Sequence, residues 1–304
     1  MDRRYPDTAD DSSRFQLQAF SRGGLAAQEE RCPKTVGQLV RGLSALFDPR
    51  DAEPWDRTGL LVGDPSAPLA GVACALDATF DAVCRAEAFG ANVLLTHHPA
   101  YLDPPAPIGP RASGATAAGE VVYEAVRRGI ALVNYHTALD VSAPAQKMLP
   151  GLLGLVRTGV LDPLGRDEGL GYGQICAIAP SDAPMTLESL SLRCTAVFGR
   201  APRVWGDMNA SVTTAATWTG SAGPACELCL AKGVEVLVCG EVKYHTALDA
   251  ASAGLSIIEL GHDVSELPFA AVLAEAVAGL GVSRESITCL AQDCNWSHPE
   301  SRRV

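Results

Sequence analysis

The sequence predicts an α/β protein made of two related halves. Three observations carry this. Short apolar runs of strand length alternate with helix-length segments that have one apolar stripe. Tyr-His-Thr-Ala-Leu-Asp occurs at 135–140 and again at 244–249, each copy following an apolar run that itself follows a helix ending in glycine, Gly129 or Gly233. And five of the six histidines fall where a predicted strand ends.

Residues 1 to about 33 are polar and without periodicity, and are expected to form a mobile, disordered tail. A first α/β half is expected over 34–145. Val36, Leu39, Val40, Leu43 and Leu46 recur at helical spacing. Trp55-Asp56-Arg57-Thr58-Gly59-Leu60-Leu61-Val62-Gly63 reads as a short strand between tight turns, with Asp56 as a turn residue or a carboxylate supporting a site, the turn being favoured. A buried strand over 72–79 contains Asp77, a helix with Val83 and Ala86 ends at Gly90, and a second strand over 91–95 leads into Thr96-His97-His98-Pro99. A helix over 114–128 and a strand over 130–133 lead into His136 and Asp140, four residues apart and on one face if the segment is helical.

A middle section over 146–220 is dense in glycine and carries no histidine. Strands are expected at 175–178, 197–198 and 212–218, and a helix at 187–194. Its end, with the Gly-Ser turn at 219–223, could bind an anion through free N–H groups. A second α/β half over 221–293 contains a strand at 234–238, the second hexapeptide copy with His245, a strand at 255–260, then Gly261-His262-Asp263-Val264-Ser265-Glu266, a helix with Phe269, Val272, Leu273 and Ala276, and a last strand at 286–290. Residues 294–304 read as a C-terminal tail, and its His298 is given no role.

The totals bound the function. A net charge of −11 opposes binding to a nucleic-acid backbone and leaves any phosphate-bearing ligand to local cations. No apolar run reaches the roughly 18 residues of a membrane span and no secretory leader is evident, so a cytoplasmic protein is expected. The ten cysteines are scattered; only Cys226 and Cys229 are paired at C-x-x-C spacing, and most sit in apolar segments as small hydrophobes.

His97, His98, His136, His245 and His262, with Asp140 and Glu266, make a His/carboxylate set without cysteine, which suits divalent Zn, Mn, Fe or Co. Adjacent side chains on an extended segment face apart, so His97 and His98 can serve two ions, and a glutamate can bridge them. Two ions would lower the pKa of a shared water and supply the positive charge the chain lacks. The remaining His and Asp side chains would then act as acid, base or orienting groups.

Five motifs, Trp55-Asp56 with Gly59-Leu60, Thr96-His97-His98-Pro99, 136–140, 240–245 and 261–266, resemble in order those of the NIF3-like family, over about residues 35–290. Bacterial members of that family are commonly named GTP cyclohydrolase 1 type 2 homologues. The resemblance implies two intertwined α/β repeats with mixed sheets, a toroidal homohexamer, and a dinuclear centre held by His97, His98, Asp140, His262 and a bridging Glu266. His136 and His245 would line it as catalytic groups. The implied reaction breaks a cyclic amidine C–N bond: hydrolytic opening of the imidazole ring of GTP, or of a related nucleotide, with loss of formate. The alternative is a non-enzymatic metal-binding, metal-delivery or regulatory scaffold for protein partners. Arg57, Glu241 and Asp263 depart from the family pattern, which usually has Asn, Asp and an aromatic residue there.

Overall fold

The structure, a computed structural model, describes residues 32–292 and Trp296. The expected tails therefore lie outside the described residues, apart from Cys32, Pro33 and Trp296; so does His298.

The first part of the chain forms α1 (Val36–Ser44), β1 (Gly59–Val62), β2 (Val72–Ala75), α2 (Phe80–Phe89), β3 (Val93–Thr96), α3 (Ala117–Arg128), β4 (Ala131–Asn134) and the single turn α4 (Thr137–Asp140). Thr35, Thr79 and Thr116 each cap a helix by accepting a backbone N–H two or three residues inside it. Next come α5 (Ala145–Leu152), the long hairpin β5 (Leu155–Leu164) and β6 (Asp167–Ile178), β7 (Met185–Thr186), α6 (Leu187–Phe198), β8 (Arg203–Trp205), β9 (Ser211–Val212) and β10 (Thr214–Ser221). The chain ends in α7 (Ala225–Lys232), β11 (Val236–Glu241), α8 (Tyr244–Ser252), β12 (Ser256–Glu259), α9 (His262–Glu266), α10 (Phe269–Gly279) and β13 (Ile287–Cys289).

Two mixed sheets organise these elements. The first has the order β1-β4-β3-β2-β13, with β4, β3, β2 and β13 parallel and β1 antiparallel at the edge. The second has the order β5-β6-β10-β11-β12-β8, with β10, β11 and β12 parallel and the outer strands antiparallel. A two-stranded ribbon of β7 and β9 completes the set. Each sheet thus holds a parallel β-α-β-α-β core, which is the relation that the repeated hexapeptide implies.

Strand alternation assigns the faces. Val72, Cys74, Val93, Leu95 and Val133 join Val236, Val238 and Ile258 of the other sheet in one core, filled by Met148 and Leu149 of α5 and by Phe269, Val272 and Leu273 of α10. The alternate residues Ala73, Ala75 and Leu94 pack outward on α2 and α3. Ala216, Leu237 and Ile257 do the same against α7 and α8. Among the described residues no helix is long and apolar enough to cross a membrane.

Two local expectations change. Residues 197–198 are not a strand but the last turn of α6, which buries Leu187, Leu190, Ser191 and Cys194 along one helical stripe and stops at Gly199 in a left-handed conformation. The last strand, β13, does not stay with the second half: it pairs parallel with β2 and extends the first sheet.

Candidate metal centre

Parallel strands present their C-terminal ends along one edge, where α/β proteins gather polar groups. Here the edges of both sheets meet. The His97 and His98 N–H groups still donate to the Ala75 and Leu76 carbonyls at 3.2 and 2.9 Å, so the tandem histidines are an extension of the β2–β3 ladder. His136 follows β4 at the start of α4. Gly261, at φ +105°, turns the chain after β12 into α9, whose helical spacing sets His262 Nε2 3.2 Å from Glu266 Oε2.

Glu266 is the hub. Its Oε1 lies 3.8 Å from His97 Nε2, which is also 3.7 Å from Asp140 Oδ1. Its Oε2 lies 3.0 Å from His98 Nε2 and 3.2 Å from His262 Nε2. Three groups can therefore hold an ion: His97, Asp140 and Glu266; His98, His262 and Glu266; and His97, His98 and His136. His97 and Glu266 are buried, and His262 is the most open of these side chains.

Every imidazole is held from behind through Nδ1. His97 faces the Tyr135 carbonyl at 3.2 Å, His98 the Asp77 carboxylate at 2.8 Å, His136 Asp56 at 3.1 Å and His262 Glu241 at 3.0 Å. A carbonyl or carboxylate oxygen only accepts, so each Nδ1 carries the hydrogen. The neutral rings are then left with Nε2 lone pairs. Those of His97, His98 and His262 point at carboxylate oxygens. Lone pair against anion is repulsive unless a cation stands between them, as a metal ion or as extra protons. Two of the three buried side-chain atoms without a hydrogen-bond partner among the described residues lie here, His97 Nε2 and Glu266 Oε2; the third is Asn134 Oδ1. The donor set of imidazoles and carboxylates, each imidazole backed by an acceptor, fits a first-row divalent ion.

Without an ion, protons take that part. Burial opposes charge on His98, but Asp77 and Glu266 outweigh it and hold its pKa up to about 10. Glu266 beside His262 raises that group to about 9. His97 moves down, because its burial is complete. Burial, then repulsion from Glu266, pushes Asp140 up to about 7. Glu266 is itself buried, yet His262, His97 and His98 keep its carboxyl well below the usual range.

The centre gathers His97, His98, His136, Asp140, His262 and Glu266 from the sequence reading. His245 stands apart. In the first hexapeptide copy the helix begins after the histidine, at Thr137; in the second it begins before it, at Tyr244. Ala247 and Ala250 then take the buried face of α8 and His245 is exposed, its ring against Tyr244.

Other residues gain parts that the sequence left unassigned or, for Asp56, offered only as the less favoured of two readings. Asp77 and Glu241 orient His98 and His262. Asp56 is no simple turn residue: it accepts from His136 and, through its other oxygen, from the Thr137 N–H and hydroxyl. Burial works against its charge, but those bonds hold it below the usual carboxylate range. The middle section supplies Thr219, whose hydroxyl donates to Asp140 Oδ1 at 3.4 Å, and Gly220, whose backbone closes on Glu266. The signal available for Asp77 and Glu241 was position alone, each lying at or just past the end of a strand in the parallel ladder.

A family model described as Duf34/NIF3 (NGG1p interacting factor 3) matches residues 34–291. A protein of Streptomyces coelicolor named GTP cyclohydrolase 1 type 2 homolog is 30% identical over 241 residues, 77% of this chain and 82% of that one. Among solved structures, Staphylococcus aureus hypothetical protein SA1388 superposes with a TM-score of 0.78 at 21% identity, covering 88% of this chain and 100% of that one. A Bacillus cereus protein related to NIF3 superposes with a TM-score of 0.76 at 20% identity, over 86% of this chain and 97% of that one. Both structural likenesses speak to the fold.

Proposed function

The chain belongs to the Duf34/NIF3 family, and from that premise we propose that it is a hydrolase using two divalent metal ions to open the imidazole ring of GTP or a related nucleotide. The name of the Streptomyces relative supplies the substrate class. The observation that carries the metal reading is the pair of orphaned buried atoms, His97 Nε2 and Glu266 Oε2, inside a ring of imidazoles already held through Nδ1.

His97, Asp140 and Glu266 would hold one ion, and His98, His262 and Glu266 the other, with one Glu266 oxygen toward each. Two divalent cations held there would lower the pKa of a water and add positive charge opposite a phosphate on a chain of net charge −11. Asp56 fixes the tautomer of His136, so that its Nε2 is the atom that takes up or gives a proton. The His136 ring sits edge-on to His97 and His98, with centroids at 5.1 and 5.4 Å, within reach of a ligand lodged between them. His245 has no part in this proposal. A homohexamer, implied by the family resemblance, is part of it; sedimentation of the purified protein checks that element.

The test is formate release from GTP by the metal-loaded protein, beside His136→Ala. The proposal expects turnover that the variant loses while keeping its metal. If GTP and a nucleotide panel stay intact with metal bound, the hydrolase reading fails and the metal-binding scaffold replaces it.

A further inference from the structure

The segment 55–57 turns one residue inward and its neighbours outward. The Asp56 side chain is fully enclosed, tied to His136 and Thr137. Trp55 is 55% exposed, and its indole meets the His136 ring edge-on at 5.7 Å. Only one ring therefore separates it from the metal-ligand cluster. Arg57 is exposed as well. Its guanidinium Nε donates to the Leu102 carbonyl at 2.9 Å, bracing this segment against the loop that follows His98, and it pairs with no carboxylate among the described residues. The backbone on either side is fixed: the Arg57 carbonyl accepts from the Asn134 side chain at the end of β4.

A half-exposed indole one ring away from the cluster offers a flat apolar surface on which a base can stack. An arginine two residues away that meets no carboxylate among the described residues, on a chain of net charge −11, is a local cation for an anion. We propose that Trp55 and Arg57 form the recognition rim of the centre, the indole stacking the base of a nucleotide and the guanidinium engaging its phosphates. This rests on the nucleotide reading of the centre and adds the residues that would select the ligand. Arg57 also gives a reason for this chain's departure from the Asn usual in the family.

Calorimetry on the full-length, metal-loaded protein tests it with three probes: GTP, guanosine, and inorganic tripolyphosphate. Base stacking on an aromatic side chain is worth about five- to hundredfold in affinity. Trp55→Ala is expected to weaken GTP and guanosine by that factor and to leave tripolyphosphate unchanged, and Trp55→Phe to restore most of the loss. Arg57→Asn is expected to weaken GTP and tripolyphosphate about three- to tenfold, more at low salt, and to spare guanosine. Metal content of each variant, expected at the wild-type level, shows that the fold and the centre are intact. Guanosine binding that is absent in the wild type, or equal in Trp55→Ala, overturns the proposal. So does a Trp55→Ala effect confined to the assembly state, which would make Trp55 a contact between copies. Loss of formate release with these binding differences intact would instead sink the hydrolase reading and leave the rim standing.

Discussion

Replacing Gly220 with alanine isolates the geometry of the centre from its chemistry, because glycine contributes no ligand. Gly220 lies at φ +60°, and a Cβ there would stand 2.2 Å from Glu266 Oε1. Neither side can yield cheaply. The Gly220 N–H donates to Ser265 Oγ at 2.9 Å, and its carbonyl is packed so tightly on Gly240 that a Cβ at that glycine would fall 2.3 Å from it. Glu266 is backed by His98 and His262 at 3.0 and 3.2 Å. Ordinary contact begins near 3.4 Å, so the carboxylate must retreat by about 1.2 Å. Metal–oxygen bonds hold within a few tenths of an ångström of about 2.1 Å, and a ligand displaced by more than an ångström is lost. Gly220→Ala should therefore lower affinity for at least one ion by about a hundredfold or more. The left-handed backbone adds about 1–2 kcal/mol of destabilisation even without metal. Metal titration followed by mass spectrometry, with thermal melts of the metal-free protein, separates the two effects. A variant that keeps wild-type metal affinity would refute the reasoning, since the clash with Glu266 is then harmless.

Asp77→Asn leaves the His98 ring in place but turns its Nδ1 partner neutral; metal affinity should fall about 10- to 100-fold with little change in fold, read by metal titration beside circular dichroism. Asp56→Asn should depress turnover while preserving metal content, because it loosens His136 and not the ligands; metal loss in that variant would make His136 a ligand. The metal-free protein should lose stability as pH rises. His98 and His262 are raised from the ordinary 6.5 to about 10 and about 9, so their contribution is full below about pH 6.5 and disappears through pH 9–10. Metal binding displaces those protons, so the loaded protein should lack this decline. Thermal midpoints from pH 6.5 to 10 check both forms, and a flat metal-free profile contradicts the assignment.

The residues of the candidate centre were legible because chemistry and position coincide: His97, His98 and His136 each follow a run of apolar strand residues, and His262 and Glu266 share a helical face. What local pattern could not show was pairing over distance. Nothing near residues 287–289 says that they join β2, more than two hundred residues earlier in the chain. Asp77 and Glu241 look like ordinary polar residues at strand ends until the folded chain sets a histidine against each. The repeated hexapeptide misleads at His245, since identical residues start their helices at different points and so face different ways. Residues 197–198, a β-branched and aromatic pair, carry strand propensity, but the apolar stripe of α6 and its terminal glycine override it.

The most direct measurement is X-ray diffraction at the absorption edge of whatever metal co-purifies or is reconstituted. The account predicts two anomalous peaks per chain, one among His97, Asp140 and Glu266 and one among His98, His262 and Glu266, each against a different Glu266 oxygen. No peak at these residues in crystals grown with Zn, Mn and Fe would contradict it, and would leave the facing Nε2 atoms to be satisfied by protons alone.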